Sequence, residues 1–287
     1  MKNYNSLFIK AVIGLFILLA TMIGNCQKAE GQFLTAKGEK MLKALPSNLP
    51  LPAKPQRYRI TTDYYNRTFQ GVFIDKLRVC GDFTTNLPGG TEKWNNVTVA
   101  KSAQLTGEYS KAEPQVYFEN FTYQPSEKIL QPEFFKNFPV EAVQTKNLVW
   151  DMAGIEAFAW GHLDSLKLNK TYAAKDMNGP ANLAGLGTFK NNNIQLTWKG
   201  ISRVNGQMCG LIEFRALDNP LEVNMKMNGK DFSMKGISHY WGTVYISLTE
   251  KSLEYTELLE VVTMEMKWGD QPTQYLYTNR FMTVEKN

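Results

Sequence analysis

The chain holds only two histidines, His162 and His239, which narrows its chemistry before any fold is considered. A zinc-type site needs imidazole, thiolate or carboxylate ligands at close spacing. Neither a His-Glu-x-x-His run nor paired cysteines occur, so no metal and no cofactor are expected. In WDMAGIEAFAWGHLD, Asp151 and His162 fall on one helical face, but eleven residues at helical rise put them ~16 Å apart, outside hydrogen-bond reach. Glu156 and Asp164 fare no better, and all four read as polar positions on a mostly buried helix. Ser238 and His239 are neighbours in GISHY; neighbours on a strand point to opposite faces, so they cannot act as nucleophile and base. The Gly-rich GPANLAGLGTF (Gly179 to Phe189) lacks the Gly-Lys-Ser/Thr ending of a phosphate loop and reads as a flexible crossing. No catalytic residue is assigned, and the sequence leans away from an enzyme. A hydrolase would need carboxylates that meet only in the fold, about 5 to 9 Å apart.

What remains for binding is apolar. Trp198, Met208, Met225, Met227, Met234, Trp241, Met264, Met266 and Trp268 crowd the C-terminal third. Such residues suit a soft pocket for a flexible ligand, and they suit a plain core equally. Trp198, Met234 and Trp160 are the candidate ligand-lining residues.

The elements that would hold them follow from hydrophobic period. In NLVWDMAGIEAFAWGHLDSLKL, Leu148, Met152, Ile155, Ala159, Leu163 and Leu166 recur at three and four, with a second stripe at Trp150, Ala153, Ala157 and Trp160. Two stripes predict a largely buried helix near 148–166, with a sheet on one side and another segment on the other. Nearly everything else reads as strand, including Val116 to Tyr123, where both phases are apolar. The chain also writes Lys-Gly-Ile-Ser twice, at Lys199 and at Lys235, each followed four residues later by glycine. In both copies the apolar phase breaks at the glycine, so Gly200 and Gly236 are expected as β-bulges that bend two successive hairpins. Asn205-Gly206 is the turn of the first, since both residues tolerate positive φ. The fold class is therefore mainly β (α+β), a curved, half-barrel-like antiparallel meander packed on one long helix.

The N-terminus carries an address. Lys2 and Lys10 flank an apolar run, Ala11 to Ile23, in the order of a secretory signal; it is shorter than the roughly 20 residues a spanning helix needs. IGNC (Ile23 to Cys26) resembles the lipobox of bacterial lipoproteins, although Asn25 departs from the small residue usual before the cysteine. The resemblance implies cleavage after residue 25, lipid attachment at Cys26 and a membrane partner through that anchor. Residues 26–56, with prolines at 46, 50, 52 and 55, read as a tether, and 57–287 as one β-rich domain. Lipidation of Cys26 would leave Cys80 and Cys209 either as a disulfide or as two buried thiols. Asn-x-Ser/Thr triplets at Asn66, Asn96, Asn120 and Asn169 decide little in an Asn-rich chain.

The formal charge is +5; without Lys2 and Lys10 there are 30 basic against 27 acidic residues. No basic run occurs, so no nucleic acid is expected as a partner. The leading expectation is an exported, lipid-anchored, non-enzymatic protein of a bacterial envelope that takes a lipid or other apolar molecule into its curved sheet. By architecture alone this is similar to the half-barrel carriers of the LolA and LolB type. The rivals are an envelope protein that binds a partner or glycan through loops and a sheet edge, and the hydrolase above.

Overall fold

The computed structural model describes residues 36–45, 47, 54–227 and 229–287. The expected signal, Cys26 and most of the proline segment lie outside these residues. Thirteen strands form one sheet: β1 (Gln56–Thr68), β2 (Phe73–Leu87), β3 (Thr91–Ser102), β4 (Glu113–Pro114), β5 (Phe121–Tyr123), β6 (Thr171–Ala173), β7 (Gly179–Asn182), β8 (Gly187–Asn191), β9 (Gln195–Val204), β10 (Gln207–Met227), β11 (Lys230–Ser247), β12 (Leu253–Trp268) and β13 (Gln274–Lys286). Their order is β4-β3-β2-β1-β13-β12-β11-β10-β8-β7, with β9 on the other half of β10 and β5 and β6 at the margins. The sheet is antiparallel, mainly β with two helices, curved and not closed into a barrel. The first long strand pairs with the last, Tyr58 opposite Lys286 through Thr68 opposite Leu276.

Helix α1 (residues 36–43) and helix α2 (Val143–Trp160) pack on it. On α2 the predicted stripe holds, for Leu148, Met152, Ile155 and Ala159 are all buried. The second stripe meets the irregular segment 116–140, where Trp150 Nε1 donates to the Ile129 carbonyl at 3.0 Å and its ring lies 5.6 Å from that of Phe135. The helix begins five residues before the expected start, and its α-helical part stops before Gly161. Beyond it the sheet's concave side is filled: Trp198, Trp160, Phe158 and Phe214 are 1–5% exposed, and the last two rings stack at 4.6 Å.

The two Lys-Gly-Ile-Ser copies are not equivalent. At the first, Leu211 pairs with Gly200 and Ile212 with Trp198, so Lys199 is the extra residue of a bulge and Gly200 takes φ +122°, a conformation L side chains rarely adopt. Asn205 and Gly206, at φ +51° and +77°, then close a two-residue turn as expected. At the second, Gly236 pairs in unbroken register with Leu221 and Met264, and β11 runs straight on through Gly242. Ile237 broke the apolar phase in the sequence because it faces outward, 37% exposed. The bulge near this copy belongs to β10, where Leu217 and Asp218 together oppose His239.

Three other expectations are corrected. Val116–Phe118 is a short 3₁₀ turn, and only Phe121–Tyr123 is strand, because Asn120 between them is left-handed at φ +57°. The Gly-rich stretch is a tight hairpin of β7 and β8. The middle of the expected tether is docked on the body: Leu42 and Leu45 are 1% and 4% exposed, and a Cβ on Gly38 would lie 2.3 Å from Ile201 Cδ1, so a side chain there would displace the end of Ile201. No helix among the described residues is long and apolar enough to cross a membrane.

Candidate functional site

The strands that begin or end at Gln56, Leu87, Thr91 and Leu253 meet the C-terminal end of α2 around a pocket of about 320 Å³. Its apolar wall is Tyr58 on β1, Leu253 on β12, and Ala159 and Trp160 on α2; its polar wall is Glu92 on β3, Glu156 on α2, Thr85 on β2 and Gln56.

Glu92 and Glu156 are the chemical centre. Strand β3 delivers Glu92, only 4% exposed, to a position opposite Tyr123 on β5. Helix α2 brings Glu156 to it one turn from the helix C-terminus, where the helix dipole disfavours negative charge. The two carboxyls lie close enough to interact directly, so that the charge of one disfavours the charge of the other. Burial pushes both above the usual carboxylate range; for Glu156 the charge of Glu92 adds to the effect, while hydrogen bonds from Tyr123 and Glu156 soften it at Glu92. Behind the pair, Trp94 Nε1 donates to the Tyr123 hydroxyl at 3.3 Å, and burial holds that phenol protonated. The arrangement offers a guest one carboxyl proton, one carboxylate and a flat apolar wall.

A second buried cluster lies further along α2. Arg280 on β13, 6% exposed, donates to Glu260 on β12 at 2.9 Å and to Asp151 on α2. Ser238 donates to the other Glu260 oxygen at 2.6 Å, and the Arg280 guanidinium lies 5.4 Å from the Tyr64 ring centroid. Burial pushes the Asp151 carboxyl up to about 6 even though Arg280 pulls it down. The Arg280 pairs join helix to sheet, and none of these residues lines the pocket.

Of the three candidate lining residues, the structure puts Trp160 in the pocket wall. Trp198 is buried near α1, its indole donating to the Gly200 carbonyl at 2.8 Å. Met234 lies half-buried between Val223 and Met266, towards the opposite end of the sheet. Cys80 and Cys209 are not bonded; four strands, β1, β13, β12 and β11, separate β2 from β10, far beyond disulfide reach. His162 comes within 3.4 Å of Asp176, and His239 Nδ1 accepts from the Asp218 amide, both away from the pocket. Among the described residues no group of three or more His, Cys, Asp or Glu is placed to hold a metal. Glu92 and Glu156 carried no sequence signal as a pair: 64 residues separate them, and each is ordinary where it stands.

No protein family matches the chain, and no curated protein matches it. Among solved structures it is similar to a provisionally assigned AttH from Nitrosomonas europaea, at 7% identity and TM-score 0.20 over 78% of this chain and 92% of that one. It is also similar to a DUF1329 family protein from Desulfovibrio piger, at 8% identity and TM-score 0.11 over 90% of each chain. Likenesses this weak carry no argument about what the chain does.

Proposed function

We propose that the chain is an exported, lipid-anchored envelope protein that binds a small amphiphilic molecule at the C-terminal end of α2. The observation that carries this is the pocket itself, in which Tyr58, Trp160 and Leu253 share the lining with two adjoining carboxyl groups, Glu92 and Glu156, both raised above the usual carboxylate range by desolvation. Its volume, about 320 Å³, sits at the small end of the range for small-molecule sites, roughly 300–1,000 Å³. An acyl chain laid along the whole concave face has no room, since α2 and the aromatic core occupy it. The occupant is therefore short, with its apolar part on Trp160 and a hydroxyl or amine at the carboxyl pair. A carboxylate head is disfavoured, because it would bring a third acidic group into the site.

Calorimetric titration with decylamine, decanol and decanoate tests this. Amine or alcohol should bind and decanoate bind at least about tenfold more weakly, with Glu156→Gln reducing the amine and Trp160→Ala reducing both. Equal binding of all three, or binding of none, would overturn it. Export and anchoring rest on Lys2 to Cys26; the mass of the mature N-terminus tests them, a diacyl or triacyl Cys26 being the expected result.

The glycosidase form of the hydrolase reading finds no support at this pair, because two carboxyls close enough to interact directly leave no space between them for a sugar ring or a water.

A further inference from the structure

We infer that the head group taken by the pocket is a cation, an alkylammonium ion that displaces a proton from Glu92 and Glu156 as it enters; this rests on the reading of the pocket given above. The first ground is charge. Two carboxyl groups share the lining, and among the described residues no lysine, arginine or histidine does. Neither Glu92 nor Glu156 takes part in an ion pair among those residues. The other carboxyl groups of comparable burial, Asp63 and Glu254, each hold a cation, Arg78 at 2.7 Å and Lys286 at 2.7 Å. A carboxyl withdrawn from water needs either such a partner or a proton.

The second ground is the wall. Tyr58 and Trp160, 3% and 2% exposed, line the same space, and a cation near the face of such a ring is attracted by it, most strongly by tryptophan. An ammonium ion gains from both carboxylate and ring, whereas a neutral alcohol gains from neither charge.

The surroundings do not compensate the pair. On β1 and β3 the neighbours of Tyr58 and Glu92, namely Arg57, Arg59 and Lys93, alternate to the other face of the sheet. Strand β2 contributes the uncharged Thr85 hydroxyl, and on β5 burial keeps the Tyr123 phenol protonated. On β12 the charge of Glu254, like that of Glu156, reaches the Tyr58 hydroxyl, which burial already keeps protonated. Lys286 on β13 touches Ser252 in the pocket wall at 2.9 Å, but Glu250 and Glu254 hold it at 2.6 and 2.7 Å. On α2 itself, Asp151 is matched by Arg280.

Without a guest, the pair therefore keeps a proton, in line with the upward shift of both groups by burial. As the cation enters, one carboxyl O–H gives its proton to water, and the carboxylate left behind pairs with the ammonium, so the charge within the site is unchanged. Proton and cation compete, and the cation must bind more weakly as pH falls.

Calorimetric titration of the full chain with decyltrimethylammonium, which has no proton of its own to give, and with decanol tests this. At pH 7, in phosphate and in Tris buffers of different ionisation enthalpy, the cation should release about one proton and decanol none. The cation should bind at least about tenfold more tightly at pH 7 than at pH 5.5, and decanol equally at both. Glu156→Gln should remove most of the proton release and weaken the cation about tenfold. Should that variant fail to fold, the pH series on the unaltered chain decides alone. Decanol bound without the cation, or the cation bound equally at both pH values with no proton released, would overturn the inference and leave the amphiphile reading standing. Binding of neither would bring down that reading and the inference with it.

Discussion

Arg280 is held by carboxylates from two elements, and its value lies in what its loss would leave behind. Replacing it with Met strands Asp151 and Glu260 in the interior, and breaking a buried pair in this way costs about 3–5 kcal/mol. The urea midpoint of Arg280→Met should fall accordingly. The partners do not gain equally: Arg280 is favoured in its charged form by both carboxylates, whereas Asp151 loses more by burial than it recovers. The folded protein thus binds a proton at Asp151, which titrates at about 6 against an ordinary 3.8, and Glu92 and Glu156 shift in the same direction. Stabilisation from a raised carboxyl is fully present below the unfolded value and is lost as pH rises through the folded one. Thermal midpoints should therefore be higher at pH 5 than at pH 7.5. Glu156→Gln, which needs no proton, should flatten that dependence and raise the thermal midpoint at pH 7.5. Hydrophobic period placed α2 but could not show that Asp151 and Glu156 turn towards charged partners on the sheet, because it compares neighbours along the chain. Their partners Arg280 and Glu92 stand 129 and 64 positions away.

At the scale of elements, a glycine in a repeated motif bends a strand only where its backbone leaves the ordinary region. Gly200→Ala forces a side chain into φ +122° and should cost about 1 kcal/mol or more, measured by chemical denaturation. The helix, the first hairpin and the curvature were legible because each leaves a local mark: a period of three to four, Asn-Gly, or a phase break at glycine. The second bulge was misplaced because an outward Ile237 imitates a slipped register. The docking of α1 was not legible within the expected tether, since it brings Gly38 to Ile201 across more than 160 residues. Gly38→Leu should undock it, and proteolysis at 36–45 should quicken with little change in the body's thermal midpoint.

At the scale of the whole molecule, the sheet is knit by pairing between distant parts of the chain, above all β1 with β13. Such long-range topology folds slowly, on the millisecond-to-second scale or longer, and cannot complete until the last residues are present. Removing Gln274–Lys286 deletes a central strand, so that chain should be insoluble or lack a cooperative transition by circular dichroism.

The same pairing fixes how the molecule would answer to force. Strands β1 and β13 are antiparallel, and the Asn287 amide donates to the Arg57 carbonyl at 2.9 Å, so the first and last strands leave the body side by side. Tension applied between Gln56 and Asn287 would load their ladder one rung after another, as a zipper, whereas tension along the strands would strain all rungs at once. The body should peel open at low load when held by its two ends, and resist when pulled from Gln56 and the far hairpins.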